Sequence, residues 1–290
     1  MTDILVISPA ELIGGGEVGP FPIGNYALHF LAQGDSWFSV GAIPPWLTSN
    51  LFDKMSLSRM AVAVNCARPG AELVHMTDST SNGTFLQLLC GAQERRWTAL
   101  LLSGLGNDVI SASQSPPNQP PAKRLLAKAG EWGPPGPASR YISEPGWATF
   151  ESHAREVFEL LLQRRSSSKW NRELPIVLHT YDIVTPRNAG AGAGFGPWLY
   201  KAVKAFGVPK EDWAALAQEL LARVRRLILD IATADPTIHV VDSQGTLKPA
   251  TPDDTGPTMH WRNEIHPSRG GYRLLGDRWE LELERLFCGP

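Results

Sequence analysis

The sequence predicts one doubly wound α/β/α domain, and three observations carry that prediction. Short apolar runs rich in Val, Leu and Ile alternate with longer stretches of helical periodicity, and the alternation repeats five times. The short runs are apolar throughout, as expected of strands covered on both faces. The segments between them are long enough for right-handed crossovers between parallel strands. No internal repeat appears.

Residues 1–25 contain Gly14-Gly15-Gly16 and Pro20-Phe21-Pro22 and read as an irregular N-terminal arm with room for one short strand or helical turn. The domain proper is expected over 26–290. Its first strand, 27–33, runs into Gly34-Asp35-Ser36-Trp37-Phe38. Pro44-Pro45-Trp46 opens an expected helix over 46–56. The second strand, Met60 to Cys66, ends at the turn Ala67-Arg68-Pro69-Gly70-Ala71, whose backbone N–H groups are free to bind a ligand. A helix over 82–93 follows, with Asn82 as its cap. The third strand, Trp97 to Ser103, ends at Gly104-Leu105-Gly106-Asn107-Asp108.

Residues 111–146 hold eight prolines and read as a long surface excursion hanging over the carboxyl edge of the sheet, with a short helix near 122–129. A helix over 145–165 places Phe150, Ala154, Val157, Phe158 and Leu161 on one stripe. The fourth strand, Pro175 to Tyr181, ends at Asp182. The Gly-rich segment 186–197 has no Gly-x-Gly-x-x-Gly and reads as a flexible rim. The strongest helix, 210–231, stripes Trp213, Leu216, Leu220, Val224, Leu227 and Ile231. The fifth strand covers 237–242, and the closing helix 270–286 follows Trp261-Arg262-Asn263-Glu264-Ile265-His266-Pro267.

Bulk properties narrow the function classes. The chain has 290 residues, a net charge of −2 and a pI near 6.4, so no basic field points to nucleic acid. Cys66, Cys90 and Cys288 are odd in number and far apart, which argues against a disulfide framework or zinc site and suits a reducing compartment. No run approaches the ~20 apolar residues of a membrane span. The N-terminus lacks a cationic segment before its short apolar run, so the cytoplasm is the default expectation, with signal-independent export as the alternative. Neither a cofactor nor a metal is expected: the glycines of 14–16 precede no Lys-Ser/Thr, and His260, Glu264 and His266 are not spaced as His-Glu-x-x-His.

Acyl-transfer chemistry needs a nucleophile, a base in contact with it, a group orienting that base, and donors where oxyanion charge develops. Four segments meet at one sheet edge with such groups: Ser36 after the first strand, Gly70 after the second, Asn107 after the third, and His266 before the last helix. No Gly-x-Ser-x-Gly is present.

These segments, Gly34-Asp35-Ser36, Asn65 to Gly70, Gly106-Asn107-Asp108 and Asn263 to Pro267, resemble in order and placement the SGNH (GDSL-type) hydrolase family. The resemblance spans residues 26–286 and extends to a subgroup with Gly-Asp-Ser-Trp-Phe, His179-Thr180-Tyr181-Asp182 and Gly196-Pro197-Trp198-Leu199. It implies a flavodoxin-like five-stranded parallel sheet and a cofactor-free esterase, lipase or acetylesterase acting through an acyl-Ser36 intermediate. His266 would be the general base, and Ser36, Gly70 and Asn107 would form the oxyanion hole. Asp35 would brace the turn, and Asp108 would hold the loop carrying Asn107. The substrate would be a small-molecule, lipid or glycan ester. Trp37, Asp108, Trp198 and Trp261 are candidate substrate contacts, with core packing the competing expectation for Trp37.

The chain departs from the family pattern twice. Asn263 stands where the family has Asp three residues before the His, so Asn263, Glu264, a backbone carbonyl or Asp242 would have to orient His266. Leu105 stands where Gly would begin Gly-x-Asn-Asp. Both departures favour the alternative function, a weak or inactive binding module on the same fold for a glycan or partner protein.

Overall fold

The computed structural model describes residues 1–14, 19–40, 49–192 and 194–289. In chain order the strands are β1 (Thr2–Asp3), β2 (Leu5–Ile7), β3 (Leu28–Gly34), β4 (Ser56–Leu57), β5 (Ala61–Asn65), β6 (Ala99–Ser103), β7 (Ile176–His179) and β8 (Ile238–Val241). The helices are α1 (Pro9–Ile13), α2 (Leu73–Thr77), α3 (Ser79–Cys90), α4 (Gly106–Ser113), α5 (Glu144–Ser166), α6 (Leu199–Ala205), α7 (Trp213–Ala234) and α8 (Arg269–Leu283).

The main sheet is parallel, in the order β2-β5-β3-β6-β7-β8. Counted from β3, its last five strands follow the doubly wound order 2-1-3-4-5. The sheet therefore has six strands where the sequence predicts five. The sixth is β2, a three-residue edge strand supplied by the arm. Residues 8–13 are also built into the domain. Ser8 caps α1 in a reciprocal box with Glu11, and Leu12 is buried in the core.

Strand side chains alternate between two cores. Leu31, Val62, Val64, Leu100 and Leu102 face the side packed by α3, α5 and α7. Ala32, Ala61, Ala63 and Ala99 face the other side. Their small volume leaves room for Trp37, Phe38, Tyr272 and Trp279, the last two on α8. The six apolar positions expected on the α7 stripe are all buried.

Several local expectations are corrected. Asp78, not Asn82, caps α3: its carboxylate accepts from the N–H groups of Thr80 and Ser81, whereas Asn82 sits at a kink with φ −145°. The helix expected over 46–56 is not there in its described part, which holds a 3₁₀ turn at Phe52–Lys54 and β4; Trp46 lies outside the described residues, as do Gly15, Gly16 and Ala193. Between the end of α4 and the start of α5, residues 111–146 hold three 3₁₀ turns, Pro121–Lys123, Ala129–Glu131 and Ala138–Tyr141, instead of a short α-helix near 122–129. Part of this segment is built into the core rather than lying free on the surface. Leu125, Leu126, Tyr141 and Ile142 are buried with Phe150, Val157 and Phe158 of α5. Its prolines remove helix donors, but its apolar residues still have a core to fill.

Candidate active site

The site lies at the carboxyl edge where the strand order reverses, between β3 and β6. Gly34 ends β3 and is required by close approach: a Cβ there would lie 2.7 Å from Ser103 Cβ. Asp35, beside it, is buried. Its carboxylate accepts from Trp37 N–H at 2.9 Å, Ser103 Oγ at 2.8 Å and Tyr181 Oη at 2.5 Å. Burial raises its pKa to about 6 against these three donors. His179 joins the network at Ser103 Oγ, 2.9 Å away, and burial lowers its pKa to about 4. Asp35 thus braces the turn that presents Ser36.

Ser36 Oγ lies 2.7 Å from His266 Nε2, and both residues are buried. On the far side of the ring, His266 Nδ1 lies 3.0 Å from Asn263 Oδ1. The same amide oxygen accepts from the backbone N–H of Ile265 at 3.1 Å and of His266 at 2.9 Å. These two donors decide which way the amide faces, because a flipped amide would set its NH₂ against them. An oxygen at Nδ1 requires the proton on Nδ1 and leaves the Nε2 lone pair facing Ser36. Burial pushes the imidazole pKa down to about 3, so the ring is neutral at ordinary pH.

Glu264 does not reach this ring. Its buried carboxylate accepts from the backbone N–H groups of Arg187, Trp198 and Tyr200. It therefore anchors the 187–200 segment and the N-terminus of α6, and burial raises its pKa to about 7. Asp242 is likewise elsewhere, paired with Arg225 and Thr180. The side chain that meets Nδ1 is Asn263. Arg187, which sequence reasoning did not single out, is fully buried and donates to the carbonyls of Asn263 at 2.6 Å, Asp254 at 3.1 Å and Gly256 at 2.5 Å. It clamps the loop that carries Asn263. Far from an unanchored rim, the 186–197 segment is held by Glu264 and Arg187. Replacing Glu264 with Ala leaves several backbone donors without an acceptor, at roughly 1–3 kcal/mol each. The expected outcome is a loss of more than about 3 kcal/mol, read as a lower urea midpoint at unchanged m-value.

The opposite wall carries the oxyanion candidates. The turn after β5 is stitched to β3 by Cys66 N–H to Ala32 O at 2.8 Å and Arg68 N–H to Gly34 O at 2.9 Å. Within it Gly70 has φ +76°, a left-handed conformation that suits glycine. Asn107, at the start of α4, donates one Nδ2 hydrogen to Ala71 O at 3.0 Å, which leaves its second for another acceptor. Asp108 accepts from Leu73 N–H at 3.1 Å on each oxygen, and burial raises its pKa to about 7. Asp108 therefore ties Asn107's helix to the chain just beyond Gly70. Leu105 takes the strain of the motif departure itself, at φ +81°, held there by a buried side chain.

The tryptophans divide. Trp37 is buried, stacked on His179 at 5.3 Å, and donates to Ile265 O at 3.2 Å. Trp261 is 1% exposed and donates to Lys248 O, which makes it a core residue rather than a substrate contact. Trp198 is half-buried, with its ring edge-on to His266 at 5.6 Å. Among the described residues, no helix is long and apolar enough to cross a membrane.

Comparison with known proteins finds no matching family model and no matching curated relative. Solved structures do match over most of both chains. A catalytic mutant of an acetylxylan esterase from Geobacillus stearothermophilus is 14% identical, with 90% of this chain and 95% of that one covered and a TM-score of 0.48. Phospholipase A1 from Streptomyces albidoflavus is 14% identical over 88% and 98%, at 0.48. An extracellular lipase from Streptomyces rimosus is 13% identical over 87% and 99%, at 0.45.

Proposed function

We propose that the chain is a serine ester hydrolase of the SGNH (GDSL) type. The observation that carries this reading is the contact of Ser36 Oγ with His266 Nε2 at 2.7 Å, with Asn263 Oδ1 behind the ring. Ser36 Oγ attacks the ester carbonyl carbon while its proton passes to Nε2. The carbonyl oxygen becomes an oxyanion facing the backbone N–H groups of Ser36 and Gly70 and the second Nδ2–H of Asn107. Collapse breaks the bond to the alcohol oxygen, which takes the proton from His266. Water, deprotonated by the same nitrogen, then cleaves acyl-Ser36 and regenerates the hydroxyl.

The motif resemblance supports the same assignment, with Asn263 replacing the carboxylate of a Ser-His-Asp triad. Fluorophosphonate labelling followed by peptide mass spectrometry tests it. One adduct on Ser36, absent after heat unfolding, is expected. A folded protein that takes no label at Ser36 would instead be a binding module on this fold.

A further inference from the structure

A small cavity opens beside Ser36 and Asn107, with a volume of about 30 Å³. Its apolar walls are Val109 and Ile110 of α4, Val184, Leu199 of α6, Leu221 of α7 and Ile265. No Lys, Arg or His lines it. Its one ionisable carboxyl, Asp35, is already engaged by Tyr181, Ser103 and Trp37.

We infer that this cavity is the acyl subsite and that the enzyme takes esters of short, uncharged acids of about two to four carbons. The inference rests on the ester-hydrolase reading above. The side of the carbonyl that the cavity serves follows from the base. The departing alcohol oxygen must lie within reach of His266 Nε2, which protonates it. His266 and Trp198 do not line the cavity. The alcohol therefore leaves past those two rings, and the cavity receives the other substituent of the carbonyl carbon, the acyl chain. Its length limit follows from volume. One water-sized group occupies roughly 10–15 Å³ by this measure. The cavity then holds two or three such groups beyond the carbonyl, the tail of a propionyl or butyryl chain. A charged acyl group would enter without a counter-ion and is excluded.

The test is the acyl-length profile of the wild-type chain on p-nitrophenyl acetate, propionate, butyrate, hexanoate and octanoate, with Ser36→Ala as baseline. The expected kcat/KM rises about fourfold per added methylene as apolar surface is buried. It peaks at propionate or butyrate and falls at least about tenfold by octanoate. Leu221→Ala, which removes bulk from the lining, is expected to move the peak to longer chains. Because that variant loses core packing, a second readout uses the wild type alone: an O-ethyl fluorophosphonate should label Ser36 faster than an O-octyl one. Turnover that keeps rising to octanoate, or faster labelling by the octyl probe, overturns the subsite while leaving the hydrolase reading intact. No turnover of any ester above Ser36→Ala, with no labelling, overturns both.

Discussion

Replacing Ser36 with alanine is expected to lower kcat on a short p-nitrophenyl ester by about 10⁴-fold or more. Adding His266→Ala to that variant should cost almost nothing further. The two side chains act as one unit: a proton cannot be taken from a hydroxyl that is gone, and a base without its nucleophile serves no step. His266→Ala alone should therefore approach the loss of the serine variant. Independent, multiplying losses would show that the 2.7 Å contact is not the catalytic pair. Residual turnover in all three variants reports the oxyanion donors and substrate binding alone.

The second large effect concerns Asn263. A neutral amide fixes the ring but gives the imidazolium no counter-charge, and burial has already lowered the pKa of His266 to about 3. A general base works while unprotonated, so activity falls only as pH drops through that pKa. The expected kcat/KM is nearly flat from pH 8 down to about pH 5, where roughly 99% of the ring is still neutral. Asn263→Asp puts a carboxylate at Nδ1. Opposite charge at that distance raises a pKa by about 1–3 units. The acid limb should move up by that amount, and kcat at pH 8 should rise because the imidazolium formed in the transition state is stabilised. Asn263→Leu removes the oxygen and with it control of the tautomer, at a cost of about 10²–10⁴ in kcat. An unchanged acid limb in the aspartate variant would show that Asn263 does not face the working ring. Circular dichroism at each pH separates this limb from acid unfolding.

Much of the site could be read from the chain because strand ends are easy to place. Val-rich and Leu-rich runs locate β3, β5 and β6 within a residue or two, and Ser36, Gly70 and Asn107 lie just past them. Other features depend on direction rather than position. Asn263 and Glu264 are neighbours, and nothing in their order says that the amide turns to the ring while the carboxylate turns to the backbone of 187–200. Arg187 sits in a glycine-rich stretch whose composition reads as solvent-exposed, yet it is wholly buried because three carbonyls take its hydrogens. β2 is too short to show a period of its own and is a strand because β5 offers it an open edge. In 111–146 the prolines exclude regular helix, but they do not reveal that the apolar residues between them pack on α5.

Ser36 and His266 are 230 positions apart in the chain. Most of the strands and helices lie between them in the chain, so the contact closes a long loop. Until the loop ahead of α8 docks, Ser36 is an ordinary alcohol with no base beside it. A nascent or partly opened chain therefore presents no activated nucleophile to the esters around it. On the proposed reading, esterolysis would therefore report this long-range contact rather than the presence of secondary structure.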